Sequence, residues 1–211
     1  MTLLKTENLG VSIAGKIICE NLNLEITPGQ CWGMLGKNGS GKTTLLHTLA
    51  GLREKDSGSI YLEDQPIDML KRKDIARKLG ILFQDSSDPF PSTVLETALI
   101  GRHPHLSTWQ WESTEDKSIA LQALMDVELN NMEARQVTTL SGGERRRLAM
   151  ATLLAQDPDI ALLDEPTNHL DLHHQMSVLK LLKDKILKKN KALVMSLHDI
   201  NLAGRFCTHI I

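Results

Sequence analysis

Residues 31–49 read Cys31-Trp32-Gly33-Met34-Leu35-Gly36-Lys37-Asn38-Gly39-Ser40-Gly41-Lys42-Thr43-Thr44-Leu45-Leu46-His47-Thr48-Leu49, and this stretch decides the fold. An apolar run of strand length, 31–35, passes into a glycine-rich segment and then, near Lys42, into a helical pattern. Gly36 to Thr43 fits G-x-x-x-x-G-K-[ST], the pattern of a loop that wraps phosphates. Its glycines let the backbone curl so that successive N–H groups face inward, and the start of the following helix adds partial positive charge. Lys42 is placed to reach β- and γ-phosphates, and Thr43 to ligate Mg2+. Gly36, Lys37, Asn38, Gly39, Ser40, Gly41, Lys42, Thr43 and Thr44 are therefore expected to hold a nucleotide.

Other apolar runs lie at 22–26, where they alternate with polar residues, and at 79–83, 160–163 and 193–197. Between the later runs, Leu172, Met176, Leu179, Leu182 and Ile186 recur at helical spacing. Strands alternating with helices predict a parallel sheet covered on both faces. Residues 86–157 read instead as helical stretches broken by Pro89, Pro91, Gly101 and Pro104. They are expected to form a mainly helical subdomain inserted into a single domain spanning 1–211. The Lys-rich run 183–191 reads as the solvated end of a helix.

Four of the five runs end on groups suited to chemistry: the glycine loop, Gln84, Asp164 with Glu165, and His198. Ligands of open α/β sheets sit at the carboxyl ends of the strands, so all four groups are expected on one edge. Asp164 can complete a Mg2+ shell while Glu165 reaches toward an attacking water. Alone, a strand ending in Asp-Glu-Pro is an ordinary turn; the phosphate loop gives the pair its meaning. Leu140-Ser141-Gly142-Gly143-Glu144 opens a further helical pattern, and by itself reads equally as an N-cap or as a second anion cradle. One nucleotide needs one cradle for its phosphates, and two chains arranged head to tail resolve the surplus.

The 211 residues carry 24 Lys+Arg against 26 Asp+Glu, with 41% hydrophobic and 24% charged residues. That balance excludes a disordered chain and a general polyanion binder. Aromatics are only 3%, too few for the stacking platforms that single-stranded nucleic acid needs. Cys19, Cys31 and Cys207 form no C-x-x-C pair, which speaks against a disulfide framework or zinc ribbon and for a reducing cytoplasm. No apolar run approaches the roughly 20 residues of a membrane-spanning helix, and residues 1–10 lack an export signal's apolar core, so the chain is expected neither to cross a membrane nor to be exported. His103 and His105 are split by Pro104 and are not read as a metal site; His173 and His174 are read as surface residues.

The phosphate loop, Gln84, the Leu-Ser-Gly-Gly-Glu signature, the segment Leu162-Leu163-Asp164-Glu165-Pro166-Thr167-Asn168-His169-Leu170-Asp171 and His198 stand in the order and spacing of ATP-binding cassette (ABC) ATPases. The chain resembles that family over nearly its whole length. The resemblance implies an α/β P-loop NTPase fold with a mainly parallel core sheet, an N-terminal antiparallel β portion and an inserted helical subdomain. It implies an ATPase using Mg2+, in which a homodimer sandwiches two ATP molecules. Each ATP lies between the phosphate loop of one chain and Ser141, Gly142 and Gly143 of the other. By the family's pattern Gln84 contacts Mg2+ and the water and senses the partner, Asp171 lies at the dimer contact, Glu165 is the catalytic base and His198 touches the γ-phosphate. Thr43, Gln84 and Asp164 are then the Mg2+ residues, and Lys42 and Ser141 stabilise the transferring phosphoryl group.

A finer resemblance lies in Thr93-Val94-Leu95-Glu96, in Gly101-Arg102-His103-Pro104-His105, and in residues 169–172 and 197–203. These are similar to the importer subgroup that handles iron–siderophore, haem and cobalamin chelates. That implies a peripheral subunit on the cytoplasmic face of the cell membrane, partnered by integral membrane permease subunits. An extracytoplasmic substrate-binding protein would act through the permease, and no nucleic acid is expected. The competing function is a soluble ABC ATPase acting on nucleic acid or ribosomes, against which stand the single cassette and the absence of sustained heptads or a basic patch. A phosphate-loop kinase or GTPase leaves the signature and His198 unexplained.

The chain departs from the family pattern in two places. Where family members carry a ring that stacks on adenine, Val11-Ser12-Ile13-Ala14-Gly15-Lys16 offers Ile13, so looser base selectivity is expected. The resemblance also implies further strands and a helical segment after His209-Ile210-Ile211, which reads as the start of a strand.

Overall fold

In the computed structural model the described residues are 1–84, 91–107, 109–167, 172–187 and 189–211, with the backbone alone described at 172–174. The chain runs β1 (Leu4–Ile13), β2 (Lys16–Ile26), β3 (Cys31–Leu35), α1 (Lys42–Leu49), β4 (Ser57–Leu62), β5 (Gln65–Pro66), α2 (Arg72–Lys78), β6 (Leu79–Leu82), α3 (Val94–Ile100), α4 (Thr114–Asp126), α5 (Gly142–Gln156), β7 (Ile160–Leu163), α6 (Leu172–Leu187), β8 (Ala192–Leu197), α7 (Ile200–Phe206) and β9 (His209–Ile210). A four-stranded antiparallel sheet is ordered β2-β1-β4-β5, and a five-stranded sheet is ordered β6-β7-β8-β3-β9 with every pairing parallel.

The parallel strands read as continuous apolar runs because both their faces are covered. Alternate residues supply two separate cores. Cys31, Ala161, Leu163, Leu193, Met195 and Leu197 pack with apolar residues of α3 to α7. Met34, Ile160, Leu162, Ala192 and Val194 pack on the other face with α1, α2 and the antiparallel sheet. Every residue of β7 and β8 is buried, and full burial of each large aliphatic side chain contributes about 1.5–3 kcal/mol.

Of the antiparallel sheet, residue patterning revealed only the 22–26 half of β2. In β1 the alternation is broken by register shifts and by Asn8 at φ 49°, and β4 opens on Ser57-Gly58-Ser59, a turn-like composition. Gly58, at φ 79°, lets the Asn8 carbonyl approach to where a β-carbon would be only 2.3 Å away. Between β6 and β7 the described residues form α3, α4 and α5 with short 3-10 turns at His103–His105 and Val137–Thr139, and an isolated bridge joins Thr93 to Gln136.

The Gly101-to-His105 motif has a structural task that sequence reading did not assign. Arg102 bonds Asp116 of α4 at 2.9 Å and the Ala155 carbonyl at 2.8 Å, and His105 bonds the Gln156 carbonyl at 2.8 Å. These contacts satisfy carbonyls at the open end of α5, which a helix cannot satisfy itself. The Ser113 hydroxyl and N–H, followed by Arg102, hold the Asp116 carboxyl down at about 2, so the ion pair persists throughout the neutral range. The Lys-rich run does contain the end of α6, at Leu187, and beyond it Lys189 and Lys191 both pair with Asp157 at 2.9 Å. Asp157 sits at φ 52° as the C-cap of α5, so these lysines close a helix terminus rather than merely solvating one.

Candidate active site

Register places the chemistry. Leu35 pairs with Leu197, so Gly36 emerges beside His198; Leu163 pairs with both Leu82 and Met195, so Gln84, Glu165 and Leu197 stand level. The parallel sheet thus delivers the phosphate loop, Gln84, Asp164, Glu165 and His198 to one edge.

The loop is held from several sides. Lys42, 7% exposed, folds its ammonium onto the carbonyls of Gly36 (2.8 Å) and Lys37 (3.2 Å). Lys16 at the start of β2 donates to the Gly39 carbonyl at 2.8 Å. The position of Gly41, at φ 103°, suits glycine: a β-carbon there would be strained and would lie 2.2 Å from Ile18 Cδ1. Gly41 caps α1 without a side-chain bond, and the first turn of α1 carries no acidic residue. Its leading N–H groups are therefore open to an anion, with Thr43 and Thr44 in that same turn. Ile13 ends β1, 43% exposed, on the hairpin that carries Lys16 and Ile18.

Glu165 is the centre of the edge. Its carboxylate accepts from Gln84 Nε2 at 3.0 Å and lies 2.5 Å from His198 Nε2. Its backbone sits at φ 45°, sterically poor for a glutamate, and its N–H donates to the Ser196 hydroxyl at 2.7 Å. Ser196 in turn donates to Oδ1 of the fully buried Asp164 at 2.8 Å, leaving Asp164 Oδ2 without a hydrogen-bond partner among the described residues. Sequence reading missed Ser196, whose only signal was a hydroxyl inside an apolar strand two residues before His198. It also missed Arg146, a buried arginine on α5 that donates to carbonyls at the ends of both β6 and β7.

Ser141 caps α5: its hydroxyl accepts from the Glu144 N–H, and the Glu144 carboxylate accepts from the Ser141 N–H at 2.7 Å. That bond, then the Ser141 hydroxyl and the Arg135 and Arg147 charges, holds the Glu144 carboxyl below its usual range. Similar boxes cap α3 and α4, where the hydroxyl of Thr93 or Ser113 also donates to the carboxylate; among the described residues Ser141 makes no such bond. Around Gly142 and Gly143 a β-carbon would meet nothing within 4 Å. The signature is thus not drawn into the cluster around Glu165, except through Arg146 on the same helix. Asp171 and His169 lie outside the described residues, as do the side chains of His173 and His174. No cluster of three or more His, Cys, Asp or Glu able to hold a metal occurs among the described residues, and His103 instead faces Glu112 at 3.5 Å. Among the described residues, too, no helix is long and apolar enough to cross a membrane.

Known proteins show which family the chain resembles. Residues 19–168 match the family described as ABC transporter. The petrobactin import ATP-binding protein of Bacillus anthracis is 42% identical over 210 residues, which cover 99% of this chain and 76% of that protein. The iron(3+)-hydroxamate import ATP-binding protein of Bacillus subtilis is 37% identical over 211 residues, covering all of this chain and 78% of that protein. Among solved structures, a dimeric post-hydrolysis ATP-binding cassette bound to ADP and Pi superposes with TM-score 0.83 at 30% identity, covering 99% of this chain and 93% of that one. A family match over most of the chain and relatives this close over most of their length leave one conclusion: the chain belongs to the ABC transporter family, as one of its ATP-binding, ATP-hydrolysing subunits.

Proposed function

We propose that this chain powers an importer of iron chelates, working as a head-to-tail homodimer on the cytoplasmic face of the cell membrane beneath integral permease subunits. An extracytoplasmic substrate-binding protein delivers the chelate to the permease. The observation that carries the reading is the hydrogen-bonded set of Gln84, Glu165 and His198 beside the phosphate loop. The similarity to petrobactin and iron(3+)-hydroxamate import proteins supports the cargo class. The two glycines after Ser141, which nothing among the described residues crowds, support close approach of a partner's nucleotide.

In this reading the loop amides of 36–44 and the ammonium of Lys42 bind the phosphates, exchanging the Gly36 and Lys37 carbonyls for phosphate oxygens. Glu165 accepts a hydrogen bond from the attacking water and aligns it, while His198 and Gln84 fix the carboxylate. Ser141 of the partner offers its hydroxyl to the γ-phosphate. The donor set suits Mg2+: Asp164 keeps a buried carboxylate oxygen unbonded, and Thr43 supplies a hard hydroxyl oxygen, with Gln84 as a third oxygen donor. When bound, Mg2+ would neutralise charge on the β- and γ-phosphates.

Two measurements test the reading. Glu165→Gln should lower ATP turnover by about 10²-fold or more while leaving an ATP-dependent dimer on size exclusion. Rapid turnover by that variant removes Glu165 from the role. Affinity capture of the protein from detergent-solubilised membranes should bring down a polytopic partner; reproducible recovery of only soluble chains or nucleic acid would replace the importer with a soluble ABC ATPase.

A further inference from the structure

We infer that Arg146 is a positioning residue for hydrolysis, clamping the backbone that carries Glu165 and Gln84 and tying both to the helix that begins with the signature. The inference rests on the function proposed above and asks what holds its carboxylate in place.

The side chain is 9% exposed and spends all three guanidinium nitrogens on two loops. Nη1 donates to the carbonyls of Phe83 (2.5 Å) and Gln84 (3.2 Å), Nη2 to those of Asp164 (2.9 Å) and Glu165 (2.7 Å), and Nε to Pro166 (3.4 Å). These five acceptors, among the described residues, all belong to the segments leaving β6 and β7 at the catalytic edge. Arg145, its neighbour, instead bonds Leu140 and Thr138 of its own loop.

Glu165 is where a clamp is needed. A left-handed glutamate persists only where its surroundings over-determine it, and here the peptide is gripped on both sides: Ser196 takes the N–H and Arg146 the carbonyl. A planar guanidinium fork fits several carbonyls at fixed angles, which an ammonium on a flexible stem does not. Arg146 also lies five residues after Ser141 on α5. In the head-to-tail dimer Ser141 faces the partner's nucleotide while Glu165 serves the chain's own. Movement of α5 against the partner is therefore transmitted through Arg146 to the carboxylate of the other site.

The test compares Arg146→Gln, Arg146→Lys and Glu165→Gln with the unaltered protein, with rates expressed per nucleotide-binding site titrated with a fluorescent non-hydrolysable ATP analogue. Arg146→Gln should lower kcat by about 100-fold, the scale of a small misplacement of a reacting group, with KM for ATP within about threefold. Arg146→Lys, which reaches one loop but not both, should fall between, at about tenfold. The inference is overturned if both variants hydrolyse within about twofold of the unaltered rate per site, or if KM rises in step with the loss of kcat. It is equally overturned if neither variant retains nucleotide-binding protein, since Arg146 would then serve folding alone. An impaired Glu165→Gln with unimpaired Arg146 variants overturns this inference only; an unimpaired Glu165→Gln overturns the proposed function with it.

Discussion

The phosphate loop and the signature segment are both glycine-rich, and both open a helix, yet they are built in opposite ways. In the loop the chain's own atoms dictate the glycines: Gly41 stands at φ 103° with Ile18 against it, and a β-carbon on Gly36 would lie 2.6 Å from Ser40 Oγ. Helix α1 behind it has no side-chain cap, so its amides await an anion. In the signature, nothing among the described residues crowds Gly142 or Gly143, and Ser141 and Glu144 already cap α5. The first region is a finished receptor within one chain. The second has the features of a surface completed by another molecule, and its glycines find their reason in the proposed dimer.

The contrast can be broken most directly at Gly41. Gly41→Ala should weaken nucleotide binding by about 100-fold and cost about 1–3 kcal/mol of stability, because a side chain is forced into a left-handed position and onto Ile18. Isothermal titration and thermal melting read both effects; near-normal binding would mean that the loop does not need its observed curl. Gly143→Ala should separate the two regions. The helix gains about 0.5–1 kcal/mol, seen as a raised Tm, nucleotide affinity of the single chain is unchanged, and steady-state hydrolysis falls by about tenfold as partner approach is hindered. Unchanged hydrolysis would leave the signature as a helix cap and nothing more. The smallest effect is expected at Ile13, on the hairpin beside the loop. Ile13→Tyr should raise ATP affinity by about 2- to 10-fold, the equivalent of roughly 0.5–1.5 kcal/mol of stacking, and sharpen preference for ATP over GTP. A strong ATP preference in the unaltered protein would show that base selection does not depend on a ring there.

Much of the edge was legible because its signals are local. Four strands of the parallel sheet are apolar runs, interrupted only by Ser196 in β8, and the residues just past four of the five sequence runs are the ones that reach the edge. Apart from the alternating run 22–26 in β2, the antiparallel sheet was legible only by resemblance, since the bulges of β1 scramble the alternation on which pattern reading depends. The importer-like motif around Arg102 was noticed, but its contacts to Asp116 and Ala155 were not, because those partners lie 14 and 53 residues away.

By itself the sequence determined the phosphate loop, four strands of the parallel sheet, and which groups follow them (Gln84, Asp164, Glu165 and His198), because each is written in residue types at fixed spacing. Only the tertiary structure decided that Lys16 and Ile18 brace the loop, that Ser196 links Asp164 to Glu165, and that Arg146 spans from α5 to two loops. The physical reason is that these bonds depend on which strands become neighbours and in what register, which is set by burial on both faces of a sheet ordered β6-β7-β8-β3-β9 rather than by any short run of residues.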